Sequence, residues 1–106
     1  MFDQLYAIEA RYHEVGDELT KPEVLSDMKR TKLLSKEYKE LGPIVKAWHQ
    51  LRHYEESLAS AREILNTEKD PEMRELAKEE IDILEPQVAE AEEALKLLLI
   101  PKDPED

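Results

Sequence analysis

Residues 70–98, which read DPEMRELAKEEIDILEPQVAEAEEALKLL, carry the pattern that decides the fold. Asp70 is a typical helix-capping residue, and Pro71 suits the first turn of a helix. The apolar positions that follow recur every three or four residues: Met73, Ala77, Ile81, Leu84, Val88, Ala91, Leu95 and Leu98. This spacing predicts an amphipathic helix over residues 71–98. Pro86 lies opposite the apolar stripe and therefore predicts a bend in this helix, not its end.

The preceding residues predict a longer helix over residues 27–66, with Ser26-Asp27 as its N-cap. Its apolar positions keep the same spacing in two successive sets: Leu34, Tyr38, Leu41, Val45 and Trp48, then Leu51, Tyr54, Leu58, Ala61 and Leu65. Between two of these positions lies Gly42-Pro43, and proline normally breaks a helix interior. Because the stripe keeps its phase across Pro43, we predict either a kink or a short break between collinear helices, and not a hairpin.

The N-terminal residues predict a further amphipathic helix. Its apolar positions are Leu5, Ile8, Tyr12, Val15 and Leu19. The helix is predicted to end at Thr20-Lys21-Pro22, because the residue before a proline is pushed out of the α region. Pro22 can then open a short helical turn through Val24 and Leu25. We expect the stripe of this first helix to pack against the Leu34–Trp48 half of the long helix.

Together these segments predict an all-α fold: an elongated antiparallel bundle, or coiled-coil-like hairpin, of three main helices over residues 1–100. The short polar connection at residues 66–69 makes the two longer helices antiparallel neighbours. The proline-rich residues 101–106 are predicted to be the start of an extended linker. The composition agrees, since 39% charged and 41% hydrophobic residues with only two glycines are typical of long helices and argue against β-sandwich or dinucleotide-binding folds.

The sequence also bears on the compartment. It contains no cysteine, which excludes disulfides and thiolate metal sites and fits a reducing cytosol. The longest apolar run, Leu97–Ile100, is far shorter than the ~20 residues that span a bilayer. The first residues have neither the basic region nor the apolar core of a signal peptide. We therefore expect a cytoplasmic protein without a membrane partner.

Charge is distributed unevenly along the chain. Residues 1–54 hold nine acidic and nine basic side chains, whereas residues 55–106 hold 17 acidic and six basic ones, which accounts for the whole net charge of −11. The chain as a whole should repel nucleic acid. One basic stretch, at residues 29–39, contains four lysines at intervals of three and four, here called the lysine row: Lys29, Lys32, Lys36 and Lys39. This row is either a solvated helix face or a contact for RNA phosphates.

No residue pattern predicts catalysis. His49 and His53 are four residues apart with Glu56 one turn on, but without a further ligand we interpret them as exposed histidines. Adjacent carboxylates such as Glu79-Glu80 diverge on a helix, and no glycine-rich phosphate loop is present. We predict no enzymatic activity, catalytic residue, cofactor, metal or small-molecule substrate. Trp48 and Tyr38 are expected in the core; the role of Tyr6 is left open.

Three stretches resemble one known family. Leu34-Ser35-Lys36-Glu37-Tyr38, Asp70–Ala77 and Leu97–Asp106 are similar, in order and spacing, to the N-terminal domain of bacterial class I peptide chain release factors. The last stretch is the most specific, because its Pro-Lys-Asp-Pro resembles the linker that leads into the codon-reading domain of the family. Within the family, the pattern is more similar to the branch that reads UAA and UAG than to the paralogue that reads UAA and UGA.

The resemblance implies an accessory role in translation termination. In the family this domain is a helical arm that reaches the stalk base of the large ribosomal subunit and is implicated in contact with the recycling GTPase. The Gly-Gly-Gln tripeptide for hydrolysis and the Pro-x-Thr tripeptide for codon reading belong to later domains, and this sequence contains neither. We therefore expect an excised N-terminal domain whose gene continues past Asp106. A generic helical adaptor unrelated to translation is the alternative.

Overall fold

The computed structural model describes residues 1–101, and these form four helices and no strand. They are α1 (Phe2–Glu18), α2 (Pro22–Leu25), α3 (Met28–Thr67) and α4 (Pro71–Leu98). The predicted all-α class with three main helices is confirmed, and α2 is the short turn expected after Pro22. The helices divide into an N-terminal unit, Met1–Trp48, and a C-terminal unit, His49–Asp106, and α3 contributes to both. No helix among the described residues is long and apolar enough to cross a membrane.

The helix ends lie where the sequence predicts them. Asp27 accepts a hydrogen bond from the backbone N–H of Arg30 at 3.1 Å, which satisfies an unpaired donor in the first turn of α3. Asp70 does the same for the N–H of Glu72 at 3.2 Å, and Pro71 occupies the first position of α4. Lys21, before Pro22, has extended backbone with ψ of 128°.

Both internal prolines lie within continuous helices. Pro43 is inside α3 and Pro86 is inside α4, so the alternative of a short break at Gly42-Pro43 is wrong. Each proline lacks the N–H that would bond the carbonyl four residues earlier. Both prolines are exposed, so water can bond those carbonyls instead. The prediction that α4 does not stop at Pro86 is confirmed.

The core of the N-terminal unit joins α1 and α2 to the first half of α3. Val15, Val24 and Leu34, one from each helix, form a buried cluster against which Leu19 packs. The predicted contact between the first helix and the Leu34–Trp48 half of the long helix is therefore confirmed. Tyr38 departs from the prediction, because it is 37% exposed at the edge of this core and not buried within it.

In the C-terminal unit, the second half of α3 and α4 run antiparallel, as predicted. The buried positions are Leu51, Leu58, Ala61, Ala77 and Leu95. Arg74 of α4 donates hydrogen bonds to the carbonyls of Leu65 and Glu68, which lie at the end of α3 and just beyond it. Met73 and Leu98, at the two ends of the predicted α4 stripe, are each 43% exposed and not buried as predicted. Of the predicted linker 101–106, all but Pro101 lies outside the described residues.

Candidate functional site

The lysine row lies on an exposed face of α3 in the N-terminal unit. All four members, Lys29, Lys32, Lys36 and Lys39, are exposed. At a rise of 1.5 Å per residue, their Cα atoms span about 15 Å along the helix axis. None of the four makes an ion pair or a side-chain hydrogen bond within the part of the chain that the structure describes. The row therefore presents four positive charges that no side chain of residues 1–101 neutralises by an ion pair.

Other basic side chains of the same unit are paired with carboxylates. Arg30, a member of the same basic stretch, donates to Glu18 with an Nη2–Oε2 distance of 2.7 Å. Lys21 donates to the other oxygen of Glu18 at 2.8 Å. The hydrogen bond from Lys21, together with the charge of Arg30, lowers the pKa of Glu18. Arg30 therefore has its charge paired with a carboxylate of α1, unlike the members of the lysine row.

The acidic residue within the basic stretch, Glu37, is paired with α1 and not with the lysines. Arg11 donates to it through two nitrogens, with an Nε–Oε2 distance of 2.7 Å and an Nη2–Oε1 distance of 2.8 Å. This two-pronged geometry is the strong form of an arginine–carboxylate pair. The hydrogen bonds from Arg11 lower the pKa of Glu37. Because Arg11 balances the charge of Glu37, this carboxylate does not cancel the lysine row.

A fifth lysine, Lys46, extends the row and is missed by the sequence analysis. It lies seven residues, or two helical turns, after Lys39, and it is exposed and without an ion pair among the described residues. Pro43 occupies the intervening position of the row. The missing signal is that the interval of four and then three continues from Lys39 through Pro43 to Lys46. Glu40 is the exposed acidic neighbour of this extended row.

Aromatic packing fixes α1 against the helix that carries the row. The rings of Tyr12 and Tyr38 stack with centroids 4.4 Å apart and planes 10° from parallel. A Cβ atom at Gly16 would lie 3.1 Å from the Tyr38 ring, and one at Gly42 would lie 3.6 Å from the Tyr12 ring. Each tyrosine thus covers a glycine of the opposite helix. This reciprocal arrangement, here called the Tyr–Gly lock, sets the rotation of α3 relative to α1.

The start of α3 is also fixed, by hydrogen bonds to α2. The Oγ1 of Thr31 donates to the carbonyl of Val24 at 2.8 Å, and the side chain of Val24 is buried. Asp27 caps the first turn between them. Lys29 and Lys32 therefore project from a helix end that is held in place.

The other candidate residues form no site. Trp48 is 1% exposed, as predicted for a core residue, and the undecided Tyr6 packs edge-on against it with ring centroids 4.9 Å apart. Across residues 1–101, no group of three or more histidine or carboxylate side chains is placed to hold a metal ion. His49, His53 and Glu56 line a shallow exposed groove together with Arg52. The lysine row is therefore the candidate functional site.

The whole chain is similar to bacterial termination factors. The PCRF domain family matches residues 8–106. The chain is 45% identical over all 106 residues to peptide chain release factor 1 of Cytophaga hutchinsonii, 47% to that of Amoebophilus asiaticus and 42% to that of Lysinibacillus sphaericus. In each case it spans 30% of the length of the relative. No solved structure matches the chain.

Proposed function

The chain belongs to the PCRF domain family, and from this we propose that it is the N-terminal arm of a peptide chain release factor. The observation that carries the proposal is the 42–47% identity, over the full chain, to proteins named peptide chain release factor 1. A generic coiled-coil adaptor would have no reason to carry that similarity. In this proposal residues 1–100 are the arm, and residues 101–106 begin the linker to codon-reading and hydrolysis-triggering domains.

The arm contributes binding and not chemistry. It carries neither the Gly-Gly-Gln tripeptide that the family resemblance assigns to peptide release nor the Pro-x-Thr tripeptide that it assigns to codon reading. The proposed stop codons are UAA and UAG. The resemblance assigns these codons to one branch of the family, the branch of the relatives named peptide chain release factor 1. A factor reading UAA and UGA is the alternative. The proposed place of action is the ribosome in the cytoplasm.

The proposed contact is between the lysine row and ribosomal RNA. Phosphates need only positive charge at the right spacing, with no base-reading side chain. The four lysines have that charge, and Lys46 lengthens it to about 25 Å along α3. The pairing of Arg11 with Glu37 keeps the acidic side chain in their midst occupied. The stalk base of the large subunit and the recycling GTPase are the further partners that the resemblance implies.

The test compares two proteins on ribosomes stalled at a stop codon. They are the full-length factor and the same factor lacking residues 1–100. We expect the truncated factor to need a higher concentration for half-maximal peptide release, while the rate at saturation stays close to that of the full-length protein. A truncation that abolishes release at saturation would contradict a binding role.

The isolated chain of 106 residues is the matched control. Because it carries no catalytic tripeptide, we expect no stop-codon-dependent peptide release from it at any concentration. We expect it instead to compete with the full-length factor for the ribosome. Release by the isolated chain, or a complete absence of competition, would overturn the proposal.

A further inference from the structure

Helix α4 carries a second regular stripe that the core does not use. Positions 73, 76, 80, 83, 87, 90, 94 and 97 are separated by alternating intervals of three and four, which is the spacing of a coiled-coil seam. We call this stripe the outer seam. Its large apolar members are Met73, Leu76, Ile83 and Leu97, which are 43%, 53%, 61% and 66% exposed. A repeat of this kind is the pattern by which one helix packs along another.

The outer seam continues into a groove of the C-terminal unit. Gln50 and Tyr54 of α3 face Gln87, Glu90 and Ala94 of α4 across a shallow depression of about 290 Å³. The amide of Gln50 donates to the hydroxyl of Tyr54 at 3.0 Å, so the wall on the α3 side is polar. A helix laid along the outer seam would therefore have a lateral boundary over part of its length.

The charges on the outer seam are all of one sign. Glu80 and Glu90 lie within it, and Glu72 and Glu79 lie along its open flank. These four carboxylates are exposed and make no ion pair among the residues that the structure describes. In coiled coils, polar residues within the seam and charges on its flanks select the partner. The complementary helix has apolar residues against Leu76 and Ile83 and basic residues against the carboxylates.

We infer that the outer seam of α4 is the docking surface for a basic amphipathic helix of a partner protein. This helix lies in the groove with its apolar face toward the outer seam. Its regularly spaced apolar side chains give affinity, and the charges beside them give specificity. Two copies packed outer seam against outer seam do not fit, because the exposed carboxylates of the two seams would face and repel one another. A nucleic acid does not fit for the same reason. The inference is independent of the proposed role in termination.

The test uses two synthetic helical peptides long enough to cover the outer seam, about 28 residues. Both have leucine at the seam positions; one has lysine at the positions facing the carboxylates, and the other has glutamate there. Binding of each fluorescently labelled peptide to the 106-residue chain is measured by anisotropy. We expect the lysine peptide to bind and the glutamate peptide to bind at least about tenfold more weakly. Equal binding of the two peptides would overturn the inference.

Two pairs of variants separate specific docking from general attraction to an acidic protein. L76S/I83S removes the apolar anchors and should weaken binding of the lysine peptide by about tenfold or more. Its control, L25S/L33S, removes two comparably exposed leucines of the N-terminal unit and should change binding by less than about twofold. All four positions are at least half exposed, so the variants should keep the helical circular dichroism of the parent chain.

The second pair tests the charges. E80Q/E90Q neutralises the carboxylates within the outer seam, whereas E75Q/D82N neutralises two exposed carboxylates of α4 that lie outside it. We expect the first pair to weaken binding several-fold more than the second. Equal effects of the two pairs, or binding that survives L76S/I83S unchanged, would show nonspecific attraction and overturn the inference. So would self-association of the chain, by sedimentation, that L76S/I83S abolishes.

Discussion

The two units of the chain treat their charges in opposite ways. The N-terminal unit holds nine acidic and eight basic side chains, and its carboxylates Glu18 and Glu37 form pairs between helices that leave the lysine row free. The C-terminal unit holds 17 acidic and seven basic side chains, and α4 carboxylates such as Glu80 and Glu90 make no ion pair within residues 1–101. One unit therefore exposes uncompensated positive charge and the other exposes uncompensated negative charge.

The difference shows that net charge is a poor guide to the partner of a helical domain. A total of −11 suggests a protein that avoids nucleic acid, yet the sum of the N-terminal unit is close to zero and conceals a basic face. The face exists because the two nearby carboxylates already have arginine partners. Glu37 pairs with Arg11, and Glu18 pairs with Arg30, so neither neutralises a lysine of the row. Ion pairs that contribute little to stability at a surface can thus decide which charges remain available.

The largest expected effect concerns what holds the N-terminal unit together. Trp48 is 1% exposed and its ring packs nearly perpendicular to that of Tyr6, so Trp48→Ala should lower the free energy of unfolding by about 3–5 kcal/mol. Chemical denaturation of the 106-residue chain measures the change. Leu33→Ala, at a position that is 63% exposed on the same helix, is the control and should change it by less than about 0.5 kcal/mol. An unchanged midpoint for Trp48→Ala would mean that charge pairs, and not this core, hold the unit together.

The second prediction tests whether the lysine row, which is the exposed positive charge of the N-terminal unit, contributes to ribosome binding. Replacing Lys29, Lys32, Lys36 and Lys39 with glutamine in the full-length factor should weaken ribosome binding by about tenfold or more. The salt dependence of binding should also become less steep, since each lost phosphate contact reduces the magnitude of the negative slope of log affinity against log salt by about 0.7–0.9. Peptide release at saturation should stay nearly intact. Binding measured over a range of salt concentrations gives both quantities.

The matched control neutralises four carboxylates of the C-terminal unit outside the outer seam of α4. These are Glu56, Glu63, Glu75 and Asp82, which are exposed. We expect unchanged or slightly stronger ribosome binding from this variant. If the lysine variant keeps its affinity and its salt slope, the row is a solvated helix face and the contrast between the units has no role in ribosome binding.

Periodicity predicted the elements because burial repeats along a helix. The limits 71–98 for the last helix match α4. The unbroken phase between Leu41 and Val45 excluded a hairpin at Pro43 but left a kink or a short break open, and α3 is continuous there. Ten predicted stripe positions are buried: Leu5, Val15, Leu34, Val45, Trp48, Leu51, Leu58, Ala61, Ala77 and Leu95. An apolar stripe predicts which side of a helix is buried. It does not predict which residues of the neighbouring helix that side contacts.

The pairing of charges between helices could not be predicted in the same way. Whether Glu37 meets Arg11 or one of the nearby lysines depends on the rotation and axial offset of α1 against α3, to within a fraction of a turn. The Tyr–Gly lock sets that offset. Neither glycine has the positive φ of a turn glycine, so no turn pattern in the sequence marks either position as special. The exposure of Tyr38 was missed for the same reason. The lysine row could be identified from spacing, but its freedom from ion pairs could not.

The third prediction concerns the pH dependence of the pair between Arg11 and Glu37. The pKa of Glu37 is lower in the folded chain than in the unfolded one, because Arg11 donates hydrogen bonds to its charged form. The stabilisation is therefore fully present above the pKa of an unfolded glutamate, about 4.3, and is lost as the pH falls through the lower folded value. Denaturation midpoints of wild type and Glu37→Gln should differ most near neutral pH and converge only as the pH falls below the lowered pKa of folded Glu37.

Glu40→Gln is the control for this titration. Glu40 is an exposed acidic neighbour on the same helix and makes no ion pair among the described residues. We expect its midpoints to run parallel to those of wild type across the acid range. If Glu37→Gln also runs parallel to wild type, the pair does not form in solution, and Glu37 would then be free to partner the lysine row.

The smallest expected effects test the Tyr–Gly lock. Alanine in place of a helical glycine stabilises by roughly 0.5–1 kcal/mol when it fits, because glycine loses more backbone entropy on folding. A Cβ atom at Gly42 would meet Tyr12 at 3.6 Å, an ordinary contact, but a Cβ on the residue before Pro43 disfavours the helical conformation, so Gly42→Ala should gain only part of that amount. At Gly16 the Cβ would lie 3.1 Å from Tyr38, so the tyrosine must shift and Gly16→Ala should gain less or lose stability. Denaturation midpoints measure the order. A full gain of about 0.5–1 kcal/mol for Gly16→Ala would mean that Tyr38 moves aside at no cost, and that the lock does not set the offset on which the lysine row depends.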